Sequence, residues 1–263
     1  MNGPPFGPAI AFSQPGLIMD PLTISVASGL RSRMESLDML ANNIANASTS
    51  GYKADQEFYS LYAAPEAAGP ISGPDTLPVI ERPWTDFSQG ELQSTGSPLD
   101  VALQGKGFFS VNGPSGAIYT RDGSFHLSAA GQLVTRDGYP VRGEDGHPIP
   151  LSSATPVEVL PDGTVRQDGQ TAGQIAVVDF SDPAALGKIG HNYFRPAEGS
   201  AAPVPATGYE VQQGRLENSN ASSAAAAVRL VSVMRQFEML QKAAALGSEM
   251  NRKAVDEVAR VPS

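Results

Sequence analysis

The sequence contains no cysteine. Disulfides, thiolate metal sites and cysteine nucleophiles are therefore excluded, and such a chain suits an oxidising compartment. No stretch approaches the roughly 18 apolar residues that would span a bilayer, so membrane insertion is not expected. A basic opening segment is also missing. The first basic residue is Arg31, whereas a secretory signal peptide begins with positive charge. Export, if it occurs, takes a route that needs no such leader. Basic residues are outnumbered throughout: 18 Lys and Arg face 27 Asp and Glu, for a net charge of −9. Nucleic acid is thus a poor partner, because binding it needs a basic stripe that displaces counterions.

Catalytic signatures are lacking as well. The G-x-S-x-G elbow and the H-E-x-x-H metal motif are absent. The three histidines, His126, His147 and His191, are scattered and read as surface or turn residues. Gly105-Lys106-Gly107 lacks the rest of a phosphate loop, and the Asp-Gly dipeptides do not continue into calcium loops. No pair among the carboxylates is singled out for glycoside hydrolysis. The expectation is a chain with no enzymatic activity, no metal and no cofactor.

What is present is an order of segments. Residues 1–18 are rich in Pro and Gly without any period. They read as a disordered leader or a misassigned start, with Met19 a natural first residue. Residues 19–61 hold an N-terminal helix and a loop. Asp20 suits an N-cap, Pro21 suits the first turn, and the helix is expected over 21–47. Thr23, Ala27, Leu30, Met34, Leu37, Ala41 and Ile44 recur at alternating spacings of four and three, the mark of a heptad seam. Residues 62–98 begin with a proline-rich stretch and read as an extended linker.

Residues 99–196 change character. Short apolar runs alternate with Asn112-Gly113, Asp122-Gly123, Asp137-Gly138, Asp145-Gly146, Asp162-Gly163 and Asp168-Gly169. Such dipeptides favour the tight turns of hairpins, so an antiparallel β-rich domain is expected. A return linker, 197–221, leads to a C-terminal helix within 222–263. There Ala226, Leu230, Val233, Phe237, Leu240, Ala244 and Gly247 repeat the heptad spacing, while Val231, Met234, Leu246 and Met250 widen the apolar face. Ser222 or Ser223 can cap it. The fold class is α+β: a β-rich centre flanked by two long amphipathic helices that form a coiled-coil-like assembly layer. The helices can pair with each other or with those of neighbours.

Two segments are sharper than the rest. Leu40-Ala-Asn-Asn-Ile-Ala-Asn-Ala-Ser-Thr-Ser-Gly-Tyr-Lys53 puts three asparagines in the last turns of a helix, where their amides compete with the backbone. Gly214-Arg-Leu-Glu-Asn-Ser-Asn220 precedes the second helix. Taken alone, the first is explained by fraying and capping or by an amide row that bonds a neighbouring subunit, and the second by an ordinary N-cap loop. Together they resemble the N- and C-terminal signatures of the flagellar rod and hook family. Residues 98–111 and 119–141 resemble its central β region, and the resemblance runs in order from residue 20 to about 258. Within the family, Arg235-Gln-Phe-Glu-Met is more similar to the proximal-rod form than to the distal one. Ala47-Ser48 and the extra leader depart from the family's pattern.

The resemblance implies a structural subunit of the basal-body rod that transmits torque and lines the export channel. It further implies passage through the flagellar export apparatus without a cleaved leader, and residence in the periplasmic rod. Partners would be other rod subunits and further copies of the chain. Terminal helices are expected to be mobile in the monomer and to order on assembly. The residues expected at subunit interfaces are Leu30, Leu37, Asn42, Asn43, Ile44 and Asn46 in the first helix. In the second region they are Leu216, Glu217, Ser219, Asn220, Leu230, Val233, Phe237 and Leu240. The apolar ones can equally pack within one subunit. Rival readings are the distal-rod form, a secreted β-rich binding protein and a cell-wall hydrolase. One expectation is directly checkable: N-terminal mass spectrometry of native protein should find Met19 first, and a chain beginning at Met1 or Asn2 would refute it.

Overall fold

The computed structural model describes residues 21–57, 59–63, 76–80, 84–153, 155–190 and 192–258. Residues 1–18, Met19 and the proposed cap Asp20 lie outside them. The fold is α+β, with a β-rich centre and one helix towards each end of the chain.

The first helix, α1, spans Pro21–Ala45. It ends where polar residues take over. Asn46 N–H still bonds Asn42 O at 3.1 Å, and Gly51 then turns the chain with φ +67, a conformation glycine adopts without a Cβ penalty. The second helix, α2, spans Ser223–Val258. Ser222 caps it: its hydroxyl accepts from Ala225 N–H at 3.3 Å and its carbonyl from Ala226 N–H at 2.9 Å.

The helices pack against each other. Leu40, Ala226 and Val233 are buried together, with Leu37, Ile44 and Leu230 half-buried around them. Further along, Gly29 lies beside Leu240, so the pair is antiparallel. On α2 every expected seam position is turned inward: Ala226, Val233 and Gly247 are buried and the others half-buried. The seam of α1 is rotated from the expected one. Ala27, Met34 and Ala41 are exposed, while Val26 and Leu40 are buried. Leu30, Leu37 and Ile44 belong to both possible stripes. The stripe that also contains Val26 and Leu40 is the one turned inward: Leu40 packs with Ala226 and Val233 of α2, while Met34 of the expected seam stays exposed.

A six-stranded antiparallel sheet organises the centre, in the order Leu186–Lys188, Tyr193–Pro196, Gly116–Thr120, Phe108–Gly113, Val177–Asp179 and Val204–Pro205. Phe108 and Phe109 point to opposite faces, as neighbours in a strand must. Phe109 joins the main core with Val111, Ile118, Val141 and Ile175. Phe108 joins a second cluster with Tyr119, Phe180, Leu186 and Phe194. A three-stranded sheet of Val157–Val159, Thr164–Gln167 and Gln170–Gln174 packs nearby.

Turn chemistry explains some connections and not others. Asp168 and Gly169 both have positive φ, +52 and +72, and form the two-residue link of a hairpin in which Gln167 pairs with Gln170. Asn112-Gly113, by contrast, is paired with Ala117 and Gly116, so Pro114-Ser115 makes that turn. Asp122-Gly123 is not a hairpin turn either. Gly123 is there because the Val101 carbonyl approaches it; a Cβ would lie 1.7 Å from that oxygen.

Chain segments on either side of the centre are zipped together. Val101–Gln104 pairs with Glu210–Gln213, and Leu92–Ser94 with Arg215–Glu217. Within the entering chain itself, Asp55–Gln56 pairs with Trp84–Thr85, and Tyr59–Ala63 with Thr76–Ile80. The entering and returning chains thus run side by side towards the helices. Gly123→Ala should destabilise the protein in urea by about 2–3 kcal/mol, since backbone must move to admit the methyl. Gly138→Ala, with φ +83 and open space around it, should cost only about 1 kcal/mol.

Candidate functional site

The two signature segments meet where α1 ends and α2 begins. Their meeting point is built around the carboxylate of Glu217. Lys53 Nζ lies 2.5 Å from its Oε1, and Arg121 Nη1 lies 3.3 Å from its Oε2. Gly90 N–H donates to Oε1 at 2.9 Å. The Lys53 and Glu217 side chains are 0% exposed and that of Arg121 is 5% exposed. Lys53 also donates to Ser88 O at 2.6 Å, and Arg121 Nη2 to Gly105 O at 2.8 Å. The guanidinium carbon sits 5.4 Å from the Phe108 ring centroid, which links the junction to the aromatic cluster. Burial pulls Lys53 and Arg121 below their ordinary pKa values, and Glu217 opposes that shift in both.

Amides complete the junction by reading backbone. Asn43 Nδ2 donates to Asp55 O at 2.8 Å, and its Oδ1 accepts from Asp55 N–H at 3.0 Å. Asn220 Oδ1 accepts from Ala54 N–H at 2.7 Å, while its Nδ2 donates to Asp86 O at 2.7 Å and Ser88 O at 3.1 Å. Tyr52 hydroxyl is shared between Asn42 Oδ1 at 2.8 Å and Asn43 Oδ1 at 3.0 Å. Lys188 covers the outer side, donating to Lys53 O at 2.6 Å and pairing with Asp55 at 2.8 Å. Its Nζ lies 4.5 Å from the Tyr52 ring centroid.

The structure therefore brings Asn43, Glu217 and Asn220 together inside the chain. Asn42 is exposed; it and the half-buried Asn46 bond each other at 3.2 Å. Ser219 accepts from Ala221 N–H in a local turn, and the half-buried Leu216 pairs with Gln93. Leu30, Leu37, Ile44, Leu230, Val233, Phe237 and Leu240 lie along the helix pair. Sequence reasoning did not single out Lys53, Tyr52, Arg121 or Lys188. One signal was available for Arg121: a charge that closes the apolar strand Ile118-Tyr-Thr. Among the described residues no group of three or more acidic or His side chains could hold a metal ion, and no helix is long and apolar enough to cross a membrane.

This architecture is that of a structural subunit, with an ion-locked base carrying a paired helix stalk. Comparison with known proteins agrees. Residues 26–53 match the family described as "Flagella basal body rod protein". Residues 102–167 match "Flagellar hook protein FlgE/F/G D1 domain", and 212–257 match "Flagellar basal body rod FlgEFG protein C-terminal". The flagellar basal-body rod protein FlgF of Caulobacter vibrioides is 34% identical over 231 residues, covering 86% of this chain and 92% of the relative. FlgG of the same organism is 34% identical over 251 residues, covering 86% and 95%. FlgG of Buchnera aphidicola subsp. Acyrthosiphon pisum is 32% identical over 250 residues, covering 86% and 95%. The chain belongs to the flagellar basal-body rod protein family, of the FlgF/FlgG type, and its role is structural rather than enzymatic.

Burial, with a smaller contribution from Asp55, raises the Tyr52 phenol to about 12. A raised folded-state pKa gives stability that is complete below the unfolded value of about 10 and is lost as pH rises towards the folded value. Urea unfolding at pH 9 and pH 11.5 should therefore show a larger loss of stability for wild type than for Tyr52→Phe, by about 1–2 kcal/mol.

Proposed function

We propose that this chain builds the flagellar rod by polymerising through its two terminal helices. The observation that carries this reading is the outward face of α2. Its inward face packs on α1, yet Val228, Val231, Met239, Leu246 and Met250 are 50–74% exposed on the opposite side. A helix that is apolar on two opposite faces is suited to burial on both. Each such side chain contributes about 1.5–3 kcal/mol when covered, which can offset the entropy of ordering chain ends on assembly.

In this reading Leu30, Leu37, Ile44, Leu230, Val233, Phe237 and Leu240 set the helix pair and its contacts. The outward stripe of α2 meets a neighbouring subunit. Asn42 and Asn46, with Leu216 and Ser219 at the rim, supply polar and apolar edge contacts. Asn43, Glu217 and Asn220 act beneath them by holding the stalk's angle. Contacts of this head-to-tail kind, when the rotation does not close, generate a helical filament. The paired helices would face the export channel and the β-rich centre the outside, transmitting torque along the rod. Export would pass through the flagellar export apparatus without a cleaved leader, into the periplasm. Proximal placement is favoured by Arg235-Gln-Phe-Glu-Met; the FlgF and FlgG relatives of C. vibrioides are equally identical at 34%.

Gene deletion should abolish the rod and filament in electron micrographs of basal bodies, and swimming with them. The full chain should restore both, and a chain lacking residues 222–263 should not. Leu246→Glu with Met250→Glu should leave the circular dichroism spectrum intact and still fail to complement. Normal basal bodies in the deletion strain would move a secreted binding protein to the front.

A further inference from the structure

The ion junction contains two cations and one carboxylate, and the three come from different parts of the chain. Arg121 belongs to the β-rich centre and is held there by Gly105 O and the Phe108 ring. Glu217 ends the returning strand Arg215–Glu217, and Lys53 ends the signature loop after α1. Their supports are unequal. Up to Glu217 the returning chain has its own partners in the central part: Glu210–Gln213 on Val101–Gln104, Arg215–Glu217 on Leu92–Ser94, and the Glu217 carboxylate on Gly90 N–H and Arg121. None of these contacts needs the signature loop.

The signature loop depends on the returning chain in turn. Gly51 N–H donates to Glu217 O at 2.7 Å, Ala54 N–H to Asn220 Oδ1 at 2.7 Å, and Lys53 Nζ to the Glu217 carboxylate. Lys188 and Asn192 add bonds to the carbonyls of Lys53 and Ser50. Without Glu217, Lys53 would enter a buried site already occupied by a guanidinium, and like charges in such a place repel strongly.

We infer that the junction closes in a fixed order: the returning strand docks first, through Arg121 and Glu217, and the Lys53 side chain is buried only onto that completed pair, which completes the docking of the N-terminal loop. The order is a property of the folded charges and does not rest on the rod assignment. Its consequence is that α1, the first helix to be synthesised, has only the contacts of its loop with Lys188, Asn192 and the segment Trp84–Asp86 until nearly the whole chain is present. The ionic dependence is unequal, because Glu217 keeps the Arg121 guanidinium and Gly90 N–H when Lys53 is absent, whereas Lys53 keeps the Ser88 carbonyl as its hydrogen-bond partner but no ion pair when Glu217 is absent.

Amide hydrogen exchange on the full chain tests this. Lys53→Met should speed exchange at Gly51–Asp55 while leaving Arg215–Glu217 and Gly90 within about twofold of wild type. Glu217→Gln should speed exchange at Gly51–Asp55 by on the order of 100-fold, the consequence of stranding a buried charge. Equal opening of both segments by Lys53→Met would overturn the order, as would wild-type protection of Gly51–Asp55 in Glu217→Gln. Should Glu217→Gln fail to fold, Lys53→Met combined with Glu217→Gln is read instead. Removing the second cation should restore folding with the returning strand protected. Failure of that double variant to fold would equally overturn the proposal.

Discussion

One carboxylate holds this architecture together. Glu217 is fully buried, and it is neutralised from the N-terminal side by Lys53 and from the centre by Arg121. Removing one partner of such a pair typically costs about 3–5 kcal/mol, because the other is left buried and uncompensated. The cost enforces geometry. Helix α1 leads into Lys53 and α2 follows Asn220, so the angle of both helices to the β-rich centre is fixed by bonds at their shared root.

Amide chemistry refines that root. Asn43 and Asn220 each bond backbone with both ends of the side chain, which satisfies polar groups that packing would otherwise leave without water. The signature segments are therefore rich in asparagine for a structural reason within one chain. The exposed apolar side chains Val228, Val231, Met239, Leu246 and Met250, which we propose meet neighbouring subunits, lie further along α2 on its outer side. In the proposed assembly, anchoring and association are therefore carried out by different residues.

Much of the architecture was legible from pattern. Helix, β-rich centre and helix followed from heptad spacing at the ends and turn dipeptides between them, and the α2 seam lies inward. Asp168-Gly169 forms the expected two-residue turn because both residues tolerate positive φ. The same logic misplaced Asn112-Gly113, which is paired within the strands, and Asp122-Gly123, where a close carbonyl and not a turn requires the glycine. The α1 seam was displaced for a related reason. Leu30, Leu37 and Ile44 fit two stripes, and only the presence of α2 selects the one that buries Leu40.

The sequence by itself determined the order of helix, β-rich centre and helix, the absence of thiol chemistry and the two signature segments, because these depend on local period, composition and short-range turn propensity. Only the tertiary structure decided that Lys53, Arg121 and Glu217 share one site. Those residues lie far apart in the chain, and apart from the apolar strand before Arg121 their local sequence does not reveal that their charges are buried. Burial converts three ordinary charged residues into the lock on which both helices depend, and burial is a property of the folded whole.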